Sequence, residues 1–167
     1  MEELFGDAFL KDNSEVEADE VLLIFKEFML IFYGASWSLK SNEMSERISS
    51  FLIDQNPDDE SQPPSYEAFY ISNDESKDEF KQFYAKMCEE APYWSTFPWN
   101  DPRIVNMKNA LNLESLPQVL VMDKNLNIVT SEGVDDLMNL EPDVCRSLWI
   151  SLLKKQIKKR AADQENE

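Results

Sequence analysis

Ser38 and Ser41 are the residues whose type and spacing invite chemistry first. They stand three apart in Phe32-Tyr33-Gly34-Ala35-Ser36-Trp37-Ser38-Leu39-Lys40-Ser41, between an apolar run and a helix-like stretch. A serine hydroxyl becomes a nucleophile only with a general base beside it, and the chain has no histidine. Lys40, the basic neighbour, reads as solvated, so the favoured role for these serines is capping a helix, for which Ser is a preferred residue. Cys88 and Cys145 offer thiol chemistry. Each falls on an apolar helical stripe, Cys88 with Phe80 and Tyr84 and Cys145 with Leu148 and Trp149. A free cysteine there is usually a small buried hydrophobe, with regulatory oxidation as the alternative. Asp123, Asn125 and Asn127 imitate the start of a calcium loop. The sixth position is Ile128 instead of glycine and the twelfth is Val134 instead of glutamate, so a turn explains them better.

The elements that must position these groups follow from the apolar pattern. Val21–Phe25 and Phe28–Tyr33 read as buried strands, separated by Lys26 and Glu27. From Ser41, the residues Met44, Ile48, Phe51 and Leu52 recur at helical spacing, giving strand, tight turn, helix. Residues 54–65 are polar with three prolines and read as an exposed loop. Tyr66–Ile71 is a strand, and Ser76–Glu90 a helix with the stripe Phe80, Phe83, Tyr84, Met87, capped by Asp74 or Ser76. Pro92–Asp101 reads as an aromatic loop and Pro102 as a helix start with Ile104, Met107 and Leu111 inward. Leu116–Met122 and Ile128–Ser131 make adjacent antiparallel strands. From Pro142 a long helix turns Cys145, Leu148, Trp149, Leu152 and Leu153 inward and ends in Lys154, Lys155, Lys158, Lys159 and Arg160, near the negative pole of its dipole. This alternation predicts an α/β fold, a central mixed sheet with helices on both faces and a long C-terminal helix. The expected organisation is an acidic N-terminal segment at 1–20, one domain at 21–153, and a basic then acidic helical tail at 154–167.

Composition narrows the function. The chain has 167 residues, 43% of them hydrophobic, enough for one domain with a substantial core. Sixteen Lys and Arg against 33 Asp and Glu give a net charge of −17, which opposes nucleic acid and anionic lipid. Without histidine and with two distant cysteines, no metal or other cofactor is expected, and no small-molecule substrate. The acidic N-terminus lacks a signal or transit pattern, and the Val21–Tyr33 run is too short and too charged to span a bilayer. An intracellular, cytoplasmic protein is expected.

The segment Tyr33-Gly34-Ala35-Ser36-Trp37, followed by Ser38 and Ser41, resembles the active-site segment of the thioredoxin-like family in its tryparedoxin and nucleoredoxin branch. In that branch two cysteines separated by two residues stand where this chain has the serines, and a proline stands at Lys40. Ile71–Glu75 with Phe80, Phe83, Tyr84, Ala85, Lys86 and Met87 is similar to the branch's next strand and helix, and the opening Leu4-Phe5-Gly6 is also similar. Leu113–Leu120 is similar to its valine-x-serine-isoleucine-proline-threonine segment, which implies a cis bond before Pro117, facing Ser38. The resemblance covers about Phe28 to Val129. It implies the thioredoxin-like fold and a groove around Trp37, Ser38, Leu39, Lys40, Ser41, Leu116 and Pro117. A thiol at a helix N-terminus ionises near neutral pH, and a serine there gains no comparable nucleophilicity.

The expectation is therefore a redox-inactive, non-enzymatic adaptor or structural subunit of a larger protein assembly. Since thioredoxin-like subunits occur in axonemes, a ciliary or cytoskeletal setting comes from the resemblance alone. Two alternatives stay open: an oxidoreductase or redox sensor using Cys88 or Cys145, and a chaperone-like peptide binder. Trp94, Phe97 and Trp99 are either a partner-contact patch or the closed end of the core. Lys154, Lys155, Lys158, Lys159 and Arg160 are either dipole complements or a docking helix, and Glu15–Glu20 is either a solvated face or a site for a basic partner.

Overall fold

Phe28–Gly34 (β3) and Tyr66–Ser72 (β4) carry nearly continuous apolar sequence because both of their faces are covered: every residue in both strands is buried. They pair in parallel from Phe28↔Tyr66 to Gly34↔Ser72 at the centre of the fold. The computed structural model describes residues 2–166. Its remaining strands are β1 (Ala8–Lys11), β2 (Ser14–Glu17), β5 (Trp94–Thr96), β6 (Gln118–Met122) and β7 (Ile128–Thr130). One mixed sheet results, ordered β2-β1-β5-β4-β3-β6-β7, parallel only across β5-β4-β3.

Among the described residues, six α-helices connect and cover it: α1 (Asp19–Leu22), α2 (Leu39–Gln55), α3 (Lys77–Glu90), α4 (Pro102–Ala110), α5 (Gly133–Asn139) and α6 (Pro142–Glu165). The steps β3-α2-β4 and β4-α3-β5 move the same way along the sheet, so right-handed crossovers place α2 and α3 on one face. Phe28, Leu30, Phe32, Tyr66, Ala68 and Tyr70 point there, into a core shared with α2, α3, α5 and α6. The alternate residues Met29, Ile31, Tyr33, Phe69 and Ile71 point into a second core under α1, α4 and the N-terminus. The expected α/β sandwich with a long last helix is the fold observed.

The structure corrects the reading at four places. The N-terminal segment at 1–20 is not apart from the domain: Phe5 and Phe9 are in the core, and β1 and β2 form a hairpin that pairs with β5. Arg103 fixes it, its Nη1 donating to Phe5 O at 2.7 Å and Ala8 O at 2.6 Å. Gly6 permits that approach, since it sits at φ +72 and a Cβ would lie 2.7 Å from Nη1. Val21–Phe25 is no strand, because Val21, Leu22 and Phe25 are buried at helical spacing while Leu23 and Ile24 face out. Five consecutive apolar residues satisfy either period, and the tertiary site decided. Trp94–Thr96, read as loop, joins the sheet beside β4, and α5 appears within a stretch that had no predicted element. The helical extension past Leu153 is present, since α6 continues to Glu165, and Gln156 on it donates to Val129 O at 2.9 Å on the sheet edge.

Glu67 lies inside β4, 4% exposed, with its Oε2 2.7 Å from Lys11 Nζ. Burial outweighs the lysine and lifts its pKa from 4.5 to about 7. A carboxyl raised on folding contributes stability that is complete below the unfolded value and lost as pH rises through the folded one. Urea unfolding between pH 5 and pH 8 is expected to show the wild type losing about 2.5 kcal/mol relative to Glu67→Gln at 1.36 kcal/mol per pKa unit. Parallel pH dependences for the two proteins would exclude a protonated Glu67 in the folded state.

Candidate functional site

The sequence Gly34-Ala35-Ser36-Trp37-Ser38 forms the turn from β3 into α2. Gly34 packs so tightly that a Cβ would meet the Phe32 ring at 2.6 Å. Ser38 is the N-cap of α2, its Oγ accepting from Ser41 N at 3.1 Å. Asn42 ties the turn from the helix side, donating to Ser36 O at 2.8 Å and Ser38 O at 2.9 Å. Ser41 is fully buried and its Oγ meets no hydrogen-bond partner.

From the other side the turn hangs on Asp74. Its Oδ1 accepts from Ser36 N, and its Oδ2 accepts from the Tyr70 and Ser72 hydroxyls, each at 2.7 Å. Burial, followed by the Asp74 charge, pushes the Tyr70 phenol far up, so it remains a donor. Asn73 N donates to Gly34 O at 2.8 Å, and the Trp37 indole donates to Asn73 O at 3.2 Å. The result is a braced turn that holds Trp37 and Leu39 out in solvent, 53% and 88% exposed.

The pairing Tyr33↔Gln118 brings the start of β6 beside the end of β3. The Leu116-Pro117 bond there is cis, as the resemblance implied, and both residues are half-buried. Trp37, Ser38, Leu39, Lys40, Ser41, Leu116 and Pro117 thus gather at one end of the sheet, except that Ser41 faces the interior. The expected partner-contact group does not hold together. Trp94 and Phe97 are buried, 1% and 0% exposed, because β5 carries them into the two cores, and only Trp99 reaches the surface. Lys154, Lys155, Lys158, Lys159 and Arg160 are exposed on α6, whose packing neighbours include β7, α2 and α5.

Neither thiol belongs to this site. Cys145 is buried and its Sγ donates to Asp136 O at 3.3 Å, while Cys88 is half-buried on α3. Burial is the largest influence on both and lifts each to about 11. Asp123 is used by its turn, its Oδ1 accepting from Asn125 N and Asn127 N. Sequence reasoning missed Asp74, which it considered only as a cap for α3; Ser76 caps that helix. The available signal was Ser72-x-Asp74 directly after a buried strand, a spacing at which serine and carboxylate bond each other locally.

Removing Asp74 takes the acceptor from the Ser36 N–H and the Ser72 hydroxyl and leaves the Tyr70 hydroxyl only Gly34 O at 3.1 Å, whereas removing the Ser41 hydroxyl strands no donor. Urea unfolding is expected to give a loss of about 3 kcal/mol for Asp74→Ala and less than about 0.5 kcal/mol for Ser41→Ala. Equal losses would mean that the turn does not depend on Asp74.

Comparison with known proteins agrees with this geometry. A family model described as thioredoxin-like matches residues 26–128. Thioredoxin from Wuchereria bancrofti is similar in structure, with a TM-score of 0.66 and 21% identity over 87% of this chain and 94% of its own. Native tryparedoxin I from Crithidia fasciculata gives 0.66 and 19% over 82% and 89%. Tryparedoxin from Trypanosoma brucei gives 0.63 and 18% over 79% and 84%. No curated protein sequence matches the chain. Identities this low establish shared architecture. The family match spans more than half the sequence and includes the braced turn and the start of the cis-proline strand, and the chain belongs to the thioredoxin-like family.

Proposed function

We propose that this protein is a redox-inactive, tryparedoxin- and nucleoredoxin-like adaptor or structural subunit that holds a partner polypeptide against the Trp37 turn. The carrying observation is the pairing of a chemically committed Ser38 with exposed apolar neighbours. Its hydroxyl caps α2, while Trp37 and Leu39 stand 53% and 88% exposed on a braced turn. In the branch the chain resembles, positions 38 and 41 hold the cysteines that carry the electron pair. Serine retains the cap and lacks that chemistry.

The other thiols offer no substitute, since a group held near 11 supplies little thiolate at neutral pH. The adaptor needs neither cofactor nor small-molecule substrate. An exposed tryptophan beside a half-buried Leu116-Pro117 edge suits apolar and backbone contacts with an extended segment. A second contact is supplied by Lys154, Lys155, Lys158, Lys159 and Arg160, none of which forms an ion pair among the described residues. Residues 1–153 carry 11 Lys and Arg against 30 Asp and Glu, a net −19, so this helix end is the basic face of an acidic protein. A cytoplasmic assembly, including a ciliary or cytoskeletal one, is the setting proposed.

Affinity purification of the full chain from native lysate is expected to recover a stoichiometric complex. Trp37→Ala with Leu39→Ala, or Lys158→Glu with Lys159→Glu, should reduce its yield at least about tenfold. Recovery of the protein alone, or of the same complex with both variants, would refute the adaptor reading. Thiol titration of the native protein at neutral pH separates the enzymatic alternative. Both cysteines are expected to react at least about tenfold more slowly than free cysteine, and a faster one would favour an oxidoreductase.

A further inference from the structure

Trp99 is the one tryptophan whose indole N–H meets no protein acceptor among the described residues. Trp37, Trp94 and Trp149 donate to Asn73 O, Ser49 Oγ and Asp136 Oδ2 respectively. The half-buried Trp99 ring leans on Phe80 at 5.9 Å, and Phe80 stacks on Tyr84 at 6.0 Å with their planes 8° apart. These rings line a cavity of about 600 Å³ between α3 and the β1–β2 turn, within the range of sites that take a side chain or small ligand. None of the residues of the Trp37 turn lines it.

Charge marks this cavity. Lys77 and Lys81, one turn apart on α3, stand at its rim, exposed and without an ion-pair partner among the described residues. Asp78 and Glu79 lie outside the lining, and Asp78, three residues before Lys81 on α3, forms no ion pair with it. In the cavity beside the loop at 57–62, by contrast, Lys11 is paired with Glu67. Across from the lysines the hairpin turn contributes Asp12 and Asn13. Lys77 and Lys81 against Asp12 give this aromatic-floored lining a net charge of 2 − 1 = +1 in a chain of net charge −17.

We propose that this cavity docks an acidic peptide segment of a partner protein. An aromatic or large aliphatic side chain of that segment packs on Trp99 and Phe80, and its flanking carboxylates meet Lys77 and Lys81. The Trp99 N–H and the exposed Asn13 amide supply donors for the segment's backbone carbonyls. The anchor buries apolar surface, and the lysines select against neutral and basic segments carrying the same anchor. The site acts independently of the Trp37 turn, so the proposal survives or falls apart from the adaptor reading of that turn.

The test is a titration of the nitrogen-15-labelled full chain with a panel of short peptides, each with Trp, Phe or Leu between pairs of Asp and Glu. Saturable displacement of the Trp99 indole N–H resonance is expected, weakening as salt rises. Lys77→Glu with Lys81→Glu should weaken it at least about tenfold, and Trp37→Ala should leave it unchanged. Absence of saturation across the panel, equal affinity for peptides with lysines around the same anchor, or indifference to the double lysine change would each overturn the proposal. Displacement of the same resonance by ATP but by no peptide would replace the peptide with a nucleotide. Self-association abolished by the double lysine change would replace it with a second copy of this chain.

Discussion

The parallel pairing of β3 with β4 is the constraint on which the rest depends. Fourteen residues lie in these two strands and all are buried, so helices must cover both faces of the sheet and polar side chains in the strands must find partners inside. Parallel pairing requires a crossover, and the crossover is α2. Its entry from Gly34 to Ser38 is therefore not free to wander. The end of β4 lies alongside the end of β3, and Tyr70, Ser72 and Asp74 reach from one to the other to fix the turn.

That arrangement separates rigidity from exposure. The backbone of the Trp37 turn is held from the helix side by Asn42 and from the strand side by Asp74, so its exposed side chains project from a frame set before any partner arrives. A preordered apolar projection loses less conformational freedom on docking than a mobile one. The buried Ser41 hydroxyl is the exception to an otherwise satisfied site, a polar group in a niche that supplies it no acceptor. Such a niche suits a sulfur atom better than an oxygen, because a thiol loses less when left without a hydrogen bond.

The N-terminal hairpin shows how charge and burial compete. Glu15 and Glu17 lie exposed on an edge strand, where like charges discourage pairing with another sheet edge. One layer inward, Glu67 and Lys11 meet across the sheet, and burial there outweighs attraction. Arg103 performs the opposite task. It gathers Phe5 O, Ala8 O and Asp101 into one fork of donors and covers Phe97 at 4.6 Å, joining the first residues of the chain to α4.

The sequence by itself determined the central strands, the helices α2, α3, α4 and α6, the β6–β7 hairpin and the Ser38 cap, because periodicity, prolines and capping residues act over neighbours a few positions apart. The turn residues of the site were legible for the same reason. Tertiary structure alone decided the cases where local signals tie or are silent. Val21–Phe25 became a helical turn because its place beside the N-terminal core buries three of its residues at helical spacing. Trp94 and Phe97 went inside because β5 finds β4 and β1 from far away in the chain. Asp74 became the brace of the Trp37 turn because Ser36, 38 positions earlier, is brought within hydrogen-bond reach only when β3 and β4 pair. Contacts between distant segments have no local signature, so pairing geometry had to supply them.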